Sequence, residues 1–219
     1  MPHRRVPAVV LSIACLFVVP ACAIVGFAGA MYESYQLTGS TTFPAEYEGL
    51  RGRTYAVIVS TDRVIEAEHP GVVGYLTGRL NRLLYENAEP SYWIPTDRLL
   101  GYLYDRPSWN AIPRDELAQD LGVERLVVLD LAEFRTIESG NPYLWNGAAE
   151  GTLRVYESDS AAPSEPVLEA TFRVTFPDGD AMLKERMPEE LVMTELANRL
   201  SNRSAWLFYE HDEPNAITY

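Results

Sequence analysis

The sequence predicts an α/β fold of the α+β sandwich type, in which helices pack on a mixed β-sheet. The first observation is an apolar strand pattern, a helical pattern and a second strand pattern in succession, which indicate a leading β-α-β unit. The second is a run of three strand patterns between residues 123 and 176, which indicates a β-meander. The third is an amphipathic C-terminal segment, which completes the fold as a packing helix.

The leading β-α-β unit begins at residues 54–60, where TYAVIVS is a short β-branched run typical of a buried strand. Residues 72–86 then carry apolar side chains at spacings of three and four, which predicts a helix with one apolar face. Pro70 suits the first turn of that helix. SYWI at residues 91–94 is interpreted as a short strand that completes the unit. The apolar face comprises Val72, Val73, Leu76, Leu80, Leu83 and Leu84.

Two short helices are predicted between the β-α-β unit and the meander. Thr96 or Asp97 is the expected N-cap of the first, which ends by Pro107. For the second helix, Pro113 is expected at the first helical position and Gly122 at the C-terminal stop.

The meander begins with VERLVVLDLAEFRTI at residues 123–137, the strongest strand pattern in the chain. Both of its faces are mostly apolar, which predicts a central strand covered on both sides. Further strands are predicted within residues 145–158 and 166–176. The last of these alternates polar and apolar residues with a period of two, so we expect one face on a core and the other toward water.

Residues 188–210 predict the closing helix, with Leu191, Val192, Leu196 and Leu200 on its apolar stripe. The predicted domain therefore spans residues 54–208. A polar segment at residues 32–53 is interpreted as a tether, and residues 209–219 as a loose tail.

The N-terminal segment, residues 1–31, predicts a signal peptide or a membrane anchor. His3, Arg4 and Arg5 are followed by an uncharged stretch from Val6 to Met31. The basic end is expected to stay in the cytoplasm while the apolar part enters the membrane. A membrane-spanning helix needs about 20 residues, so the stretch is long enough to cross.

Cys22 is the candidate lipid-attachment residue. Val19 and Ala21 suit cleavage before Cys22, as in a bacterial lipoprotein signal, whereas Pro20 departs from that pattern. In an uncleaved anchor Pro20 would be a tolerated kink, and ordinary cleavage further along is the third alternative. All three place the rest of the chain on the extracytoplasmic side of the cell envelope, lipid-anchored or single-pass in the first two.

Charge and cysteine content exclude several functions. All 31 acidic residues follow the uncharged stretch, and cleavage at Cys22 would remove Arg4 and Arg5 and leave a formal net charge of −15. So acidic a surface repels phosphate backbones, and no nucleic-acid partner is predicted. Cys15 and Cys22 are the only cysteines, so the domain has no disulfide or thiolate nucleophile. Because glycine-rich nucleotide motifs and a nucleophile elbow are also missing, we predict a non-enzymatic protein without a cofactor.

The segment ELAQDLGVERLVVLDL, residues 116–131, is a predicted helix stopped by a Leu-Gly pair and followed at once by an apolar strand. With the element order over residues 54–205, it resembles the superfamily that contains the TolB N-terminal domain, the curli-secretion lipoproteins and the lipoproteins that activate penicillin-binding proteins. The resemblance implies a non-enzymatic envelope protein, often lipid-anchored, that binds or assembles with other proteins. The connection YDRPSWNAIPRDE and the tyrosine-rich tether depart from that pattern.

Aromatic residues form the candidate interface, because exposed Trp and Tyr commonly anchor protein contacts. The alternative is that these rings fill the core beneath the short helices. On the first interpretation the partners are other envelope proteins or a second copy of the chain. The candidates are Tyr92, Trp93, Tyr102, Tyr104, Trp109, Tyr143 and Trp145.

A second hypothesis is an extracytoplasmic enzyme, or a small-ligand or metal binder, that uses the acidic loop between Asp62 and His69. Its weak candidates are Asp62, Glu66, Glu68 and His69. Metal-binding histidines usually come with a second His or Cys ligand at regular spacing. No such ligand follows His69, so a solvated acidic loop is the favoured interpretation and no metal is predicted.

Overall fold

The computed structural model describes residues 39–138 and 140–214, and these residues have an α+β fold. Contacts divide them into a main unit of residues 43–211 and a small unit that holds residues 39–42 and 212–214. The strands are β1 Ser40–Phe43, β2 Thr54–Thr61, β3 Tyr92–Trp93, β4 Arg125–Glu138, β5 Asn141–Glu157, β6 Leu168–Phe176, β7 Met182–Leu183 and β8 His211–Pro214. The helices are α1 Arg63–Glu68, α2 Val72–Asn87, α3 Thr96–Asp105, α4 Arg114–Leu121 and α5 Glu189–Trp206, with 3-10 turns at Trp109–Ala111 and Lys184–Arg186.

The main sheet is mixed, in the strand order β3-β2-β4-β5-β6, with β7 paired to β5. Strand β2 runs parallel to both β3 and β4, and the helices between them provide the crossover connections that parallel strands need. Strands β4, β5 and β6 follow as an antiparallel meander. The predicted β-α-β unit, meander and closing helix are therefore confirmed.

Strand β4 is the central strand that its two-faced apolar pattern predicts. Val127 and Leu129 lie in the core beneath α2 and α5, while Leu126 and Val128 lie in a second core beneath α3 and α4. Since successive side chains of a strand point to opposite faces, this arrangement buries both sides of β4.

Strand β6 also follows its predicted alternation. Glu169, Thr171 and Arg173 are exposed, whereas Val174 is buried on the opposite face, in the core beneath α5. The face of the sheet with these polar residues is covered by helices α3 and α4 only near β2 and β4. The core beneath the two helices contains Ala56, Leu126 and Tyr156 but no residue of β6. Part of the sheet is thus left with an open, polar face.

The helix caps differ from the prediction. Helices α3 and α4 begin one residue after Pro95 and Pro113, which occupy the N-cap positions without a side-chain hydrogen bond. Both prolines have an extended ψ, near 140°. The N-cap of α3 is therefore Pro95 rather than Thr96 or Asp97, and Pro113 precedes α4 rather than occupying its first turn. Gly122 ends α4 with a positive φ of 69°, as predicted for a left-handed stop.

Part of the segment predicted as a tether belongs to the folded domain. Leu50 is buried in the core, and the backbone N–H groups of Glu46 and Tyr47 both donate to the carbonyl of Leu207. The prediction was wrong there because the few apolar residues of this segment follow no period that would indicate a strand or a helix. The tail predicted to be loose likewise contains β8, and the His211 ring stacks on Trp206 at 4.7 Å. Residues 1–38, with Cys22, and residues 215–219 lie outside the described part.

Over residues 39–138 and 140–214, we find no helix with the length and apolar character that crossing a membrane requires.

Candidate interaction surfaces

The acidic loop is in part a short helix, and its four candidate residues have separate roles. Asp62 is the N-cap of α1, where its Oδ1 accepts a hydrogen bond of 2.8 Å from the N–H of Ile65. Glu66 and Glu68 are exposed on the helix. His69 is instead buried, with its ring edge-on to that of Phe134 at 5.1 Å.

The four residues therefore do not converge in a cleft, which an active site or ligand site would need. Among the described residues, no group of three His, Cys, Asp or Glu side chains is placed to hold a metal ion. The second hypothesis gains no geometric support from this loop.

Next to His69 lies an apolar groove between α2 and α5, which we call the α2–α5 groove. Phe134, Val72 and Ala197 form its buried floor, and Tyr75 and Met193 stand at its sides. Its volume is about 210 Å³. The full lining comprises Pro70, Gly71, Val72, Tyr75, Phe134, Met193, Thr194 and Ala197.

The groove is small for a cavity that binds a small molecule. Ligand pockets usually enclose about 300–1,000 Å³, and the α2–α5 groove is smaller, at about 210 Å³. Tyr75 is held in place at its edge because its hydroxyl donates to Asn198 Oδ1 at 2.9 Å. A fixed, half-exposed tyrosine beside an apolar depression is a common anchor in protein interfaces.

No sequence pattern predicts this groove. Its residues come from the α1–α2 turn, α2, β4 and α5, and only the fold brings these segments together. Tyr75 and Met193 carry no recognisable motif. The only sequence signal is that both residues belong to helices that are apolar on another face.

The candidate aromatic residues divide between the two interpretations. Trp145 is buried, its Nε1 donates to the carbonyl of Met187 at 2.8 Å, and the Lys184 ammonium lies 4.4 Å from its ring centroid. Tyr102 and Trp109 are partly buried against the core under α3 and α4, and Trp93 against the other core. These four rings serve packing.

The other three candidates, Tyr92, Tyr104 and Tyr143, are exposed. Tyr104 on α3 is the most open, at 87% exposure. Tyr92 belongs to the edge strand β3, and Tyr143 lies near the end of the long β4–β5 hairpin. They belong to three separate elements, and their role in an interface stays a prediction.

The open face of the sheet carries a lattice of ion pairs. Arg154 on β5 bonds to Asp130 on β4 at 2.5 Å and to Glu169 on β6 at 3.0 Å. The hydrogen bonds that Arg154 donates to Glu169 are the main cause of a raised pKa for Arg154, so its charge is stabilised there. Cross-strand pairs of opposite charge stabilise antiparallel sheets by a few tenths of a kcal/mol each.

Arg173 on β6 extends the lattice to Glu133 at 2.5 Å and to Glu150 at 2.9 Å. These two hydrogen bonds are the leading causes of a raised pKa for the Arg173 guanidinium. Each arginine thus joins the carboxylates of two strands, and the lattice of two arginines and four carboxylates is polar, with a formal net charge of −2.

A second, larger cleft of about 390 Å³ is mostly polar. Arg51 on its wall is already paired with Glu89 at 3.2 Å, and both side chains are well exposed. The cleft lacks the apolar walls that hold most small ligands. Its lining comprises Pro44, Ala45, Glu48, Arg51, Asn87, Ala88, Phe208, Tyr209 and Glu210.

The fold and these surfaces define an α+β protein with a mixed sheet and a shallow apolar surface groove. The sequence matches no protein-family model and no curated protein. Solved structures do share features of the fold. One is the lipoprotein GNA1162 of Neisseria meningitidis, 11% identical, with a TM-score of 0.44 over 68% of this chain and 98% of that one.

Protein XCC0632 of Xanthomonas campestris is 12% identical, with a TM-score of 0.46 over 78% of this chain and 90% of that one. The PelC dodecamer of Paraburkholderia phytofirmans is 11% identical, with a TM-score of 0.40 over 76% of this chain and 96% of that one. At these identities and TM-scores, the likeness establishes neither a family nor a function for this chain.

Proposed function

We propose that this chain is a membrane-anchored, extracytoplasmic, non-enzymatic protein that binds another envelope protein through the α2–α5 groove. The observation that carries the proposal is the groove itself, with a buried apolar floor and a fixed tyrosine at its edge. A partner that inserts one or two apolar side chains would cover Met193 and the ring of Tyr75 from water, and such burial contributes about 25 cal/mol per Å².

The N-terminal sequence supports the location. A basic start followed by an uncharged stretch up to Met31 is typical of an export signal or anchor. The acidic, cysteine-free remainder suits a domain that functions outside the cytoplasm without relying on a disulfide.

Site-specific photo-crosslinking tests the groove. A photoreactive phenylalanine analogue at Tyr75, in the full chain at its own membrane, is expected to capture one defined envelope protein. Tyr85 is the matched control, because it is a second tyrosine of the same helix with similar exposure, 54% against 43%, and it does not line the groove.

The substitution Met193→Asp should abolish the crosslink from position 75, because it places a charge in the apolar groove. Equal products from positions 75 and 85, or a product that persists in the Met193→Asp variant, would contradict the assignment of the groove as the binding surface.

Lipid attachment is tested by Cys22→Ala. We expect the parent chain to yield a mature product that begins at Cys22 and carries a lipid mass, and the variant to lose that product and keep its unlipidated N-terminal segment. The reason is that cleavage before Cys22 and attachment of the lipid both depend on the cysteine in a lipoprotein signal, whereas the uncharged stretch can still hold the uncleaved variant in the membrane. Mass measurement of the N-terminal peptide, with fractionation, decides it. The same unlipidated product from both chains would remove lipid anchoring from the proposal.

A further inference from the structure

We propose that the outer edge of β6 binds the same edge of a second copy of this chain, in an antiparallel pair centred on Thr171. This inference extends the proposed function, since it names the chain itself as one of its envelope partners. It rests on a different surface from the groove.

The two edges of the sheet differ in how far they are protected against pairing. At one edge, β3 has only two residues and is followed by Pro95, which has no N–H to donate. At the other, β6 has nine residues without proline or lysine, and its register with β5 runs over nine pairs without a bulge. Within residues 39–138 and 140–214, β5 is the only strand that pairs with β6.

Long, regular edge strands present unpaired N–H and C=O groups, and they recruit another strand unless something blocks them. The usual blocks are Lys or Pro, a bulge, or a short strand. In β6 the two charges, Glu169 and Arg173, are each engaged in ion pairs on the open face. One carbonyl near the end, that of Thr175, accepts from Arg199 at 3.0 Å, which leaves residues 168–174 for pairing.

The sequence of β6 is self-complementary in charge about Thr171. In an antiparallel pair with this centre, Glu169 of one copy lies opposite Arg173 of the other, and the reciprocal pair forms on the other side of the two-fold axis. Both side chains can still form the additional hydrogen bonds that this contact needs. The hydrogen bonds described for Arg173 come from Nη1 alone, and Glu169 accepts one bond at each oxygen.

The opposite face of β6 gives the second copy apolar surface to cover. Leu168, Ala170 and Phe172 pack against the core but remain only partly buried, as expected at an open edge. The same two-fold axis places Leu168 opposite Val174 and Ala170 opposite Phe172. Pairing would therefore join two polar faces and two apolar faces in register.

Cysteine crosslinking of Thr171→Cys tests this geometry. In an antiparallel pair the two Cα atoms at the axis are about 4.5–5.5 Å apart, within reach of a disulfide. We expect mild oxidation of the full chain in its membrane to give a disulfide-linked dimer. The parent chain, treated identically, measures any background from Cys15 and Cys22.

Thr152→Cys is the matched control. Thr152 lies beside Thr171 on the same face, with the hydroxyl oxygens 2.9 Å apart, but one strand further in. In the proposed dimer its two copies would be roughly 14 Å apart, since strands are spaced by about 4.8 Å. It should not crosslink.

Charge reversal separates pairing between copies from stability within one copy. In the Thr171→Cys background, Glu169→Arg or Arg173→Glu alone places two like-charge pairs across the axis, and we expect about tenfold less dimer. The double reversal restores opposite charges between copies and should restore the dimer. It does not restore the pairs with Arg154, Glu133 and Glu150 inside each copy, so thermal stability should remain lowered.

A Thr171→Cys product no greater than that of the parent chain or of Thr152→Cys would overturn the proposal. So would dimer recovery that follows thermal stability rather than charge complementarity. Failure of the groove leaves a distinct signature: the position-75 crosslink is absent while the Thr171→Cys dimer persists. If the position-75 crosslink forms and the Thr171→Cys dimer does not, β6 pairing is wrong and the proposed function stands.

Discussion

Leu196→Ala is expected to lower the free energy of unfolding by about 3–4 kcal/mol, among the largest effects of any single substitution in this domain. Leu196 is fully buried on α5, in the core that joins α5 to β4 and β5. It packs so closely on β5 that a methyl group added at Gly147 would lie 2.6 Å from its Cδ1. Removal of the side chain leaves a cavity that the surrounding strands cannot readily fill. Urea unfolding of the purified chain, followed by circular dichroism, measures the loss.

Leu191→Ala is the matched control, since it is the same substitution on the same helix. Leu191 is 48% exposed, whereas Leu196 is 0% exposed. Most of its side chain is already in water, so we expect a change within about 0.5 kcal/mol. If the two variants lose equal stability, α5 does not pack on the sheet in the described orientation.

Asp178→Ala has the second large expected effect, a loss of about 2 kcal/mol. Its partner Arg199 has a side chain only 6% exposed, and Asp178 binds it through both carboxylate oxygens, at 2.6 and 2.8 Å. The substitution leaves a buried guanidinium with one remaining carboxylate, Glu195 at 3.0 Å. Breaking a fully buried pair costs about 3–5 kcal/mol. We expect less because the Asp178 side chain is 47% exposed and already partly solvated.

Asp120→Ala provides the comparison for a surface pair. Asp120 lies 3.3 Å from Arg106, and both side chains are about half exposed. Exposed pairs contribute about 0–1 kcal/mol, so the loss should be clearly smaller than at position 178. Equal losses would show that burial of Arg199 is not what makes its ion pair important.

The same pair predicts a pH dependence. Hydrogen bonds from Arg199 hold the pKa of Asp178 below its usual value. A lowered folded-state pKa gives stability that is complete above the ordinary aspartate pKa of about 3.9 and is lost as the pH falls through the lower value. The stability gap between the parent chain and Asp178→Ala should therefore be constant from about pH 7 to 5 and shrink below about pH 4. A gap that stays unchanged in acid would contradict this account.

The sheet was predictable because its strands are long and their periods are clear. The alternation in β6 and the two apolar faces of β4 fix which side chains face the core, and the structure follows both patterns. The helix caps were less predictable. A proline before a helix fits either the N-cap or the first turn, and here the extended backbone of Pro95 and Pro113 selects the N-cap.

The candidate surfaces were harder to predict because they depend on which segments meet. The α2–α5 groove joins Tyr75, Phe134 and Met193, which are about 60 residues apart along the chain. Buried Leu50 is an isolated apolar residue with no pattern around it. Aromatic content alone could not separate Trp145, which packs inside, from Tyr143 two residues away, which is exposed. Only tertiary contacts determine such differences.

We propose that the folded domain is held at a membrane on its extracytoplasmic side. Fractionation of cells that express the native full chain, followed by protease treatment of intact spheroplasts, tests it most directly. We predict that the domain fractionates with membranes and is degraded by protease added outside, while a cytoplasmic marker stays intact. A protease-protected product that still begins at Met1 and fractionates with the cytosol would contradict the claim.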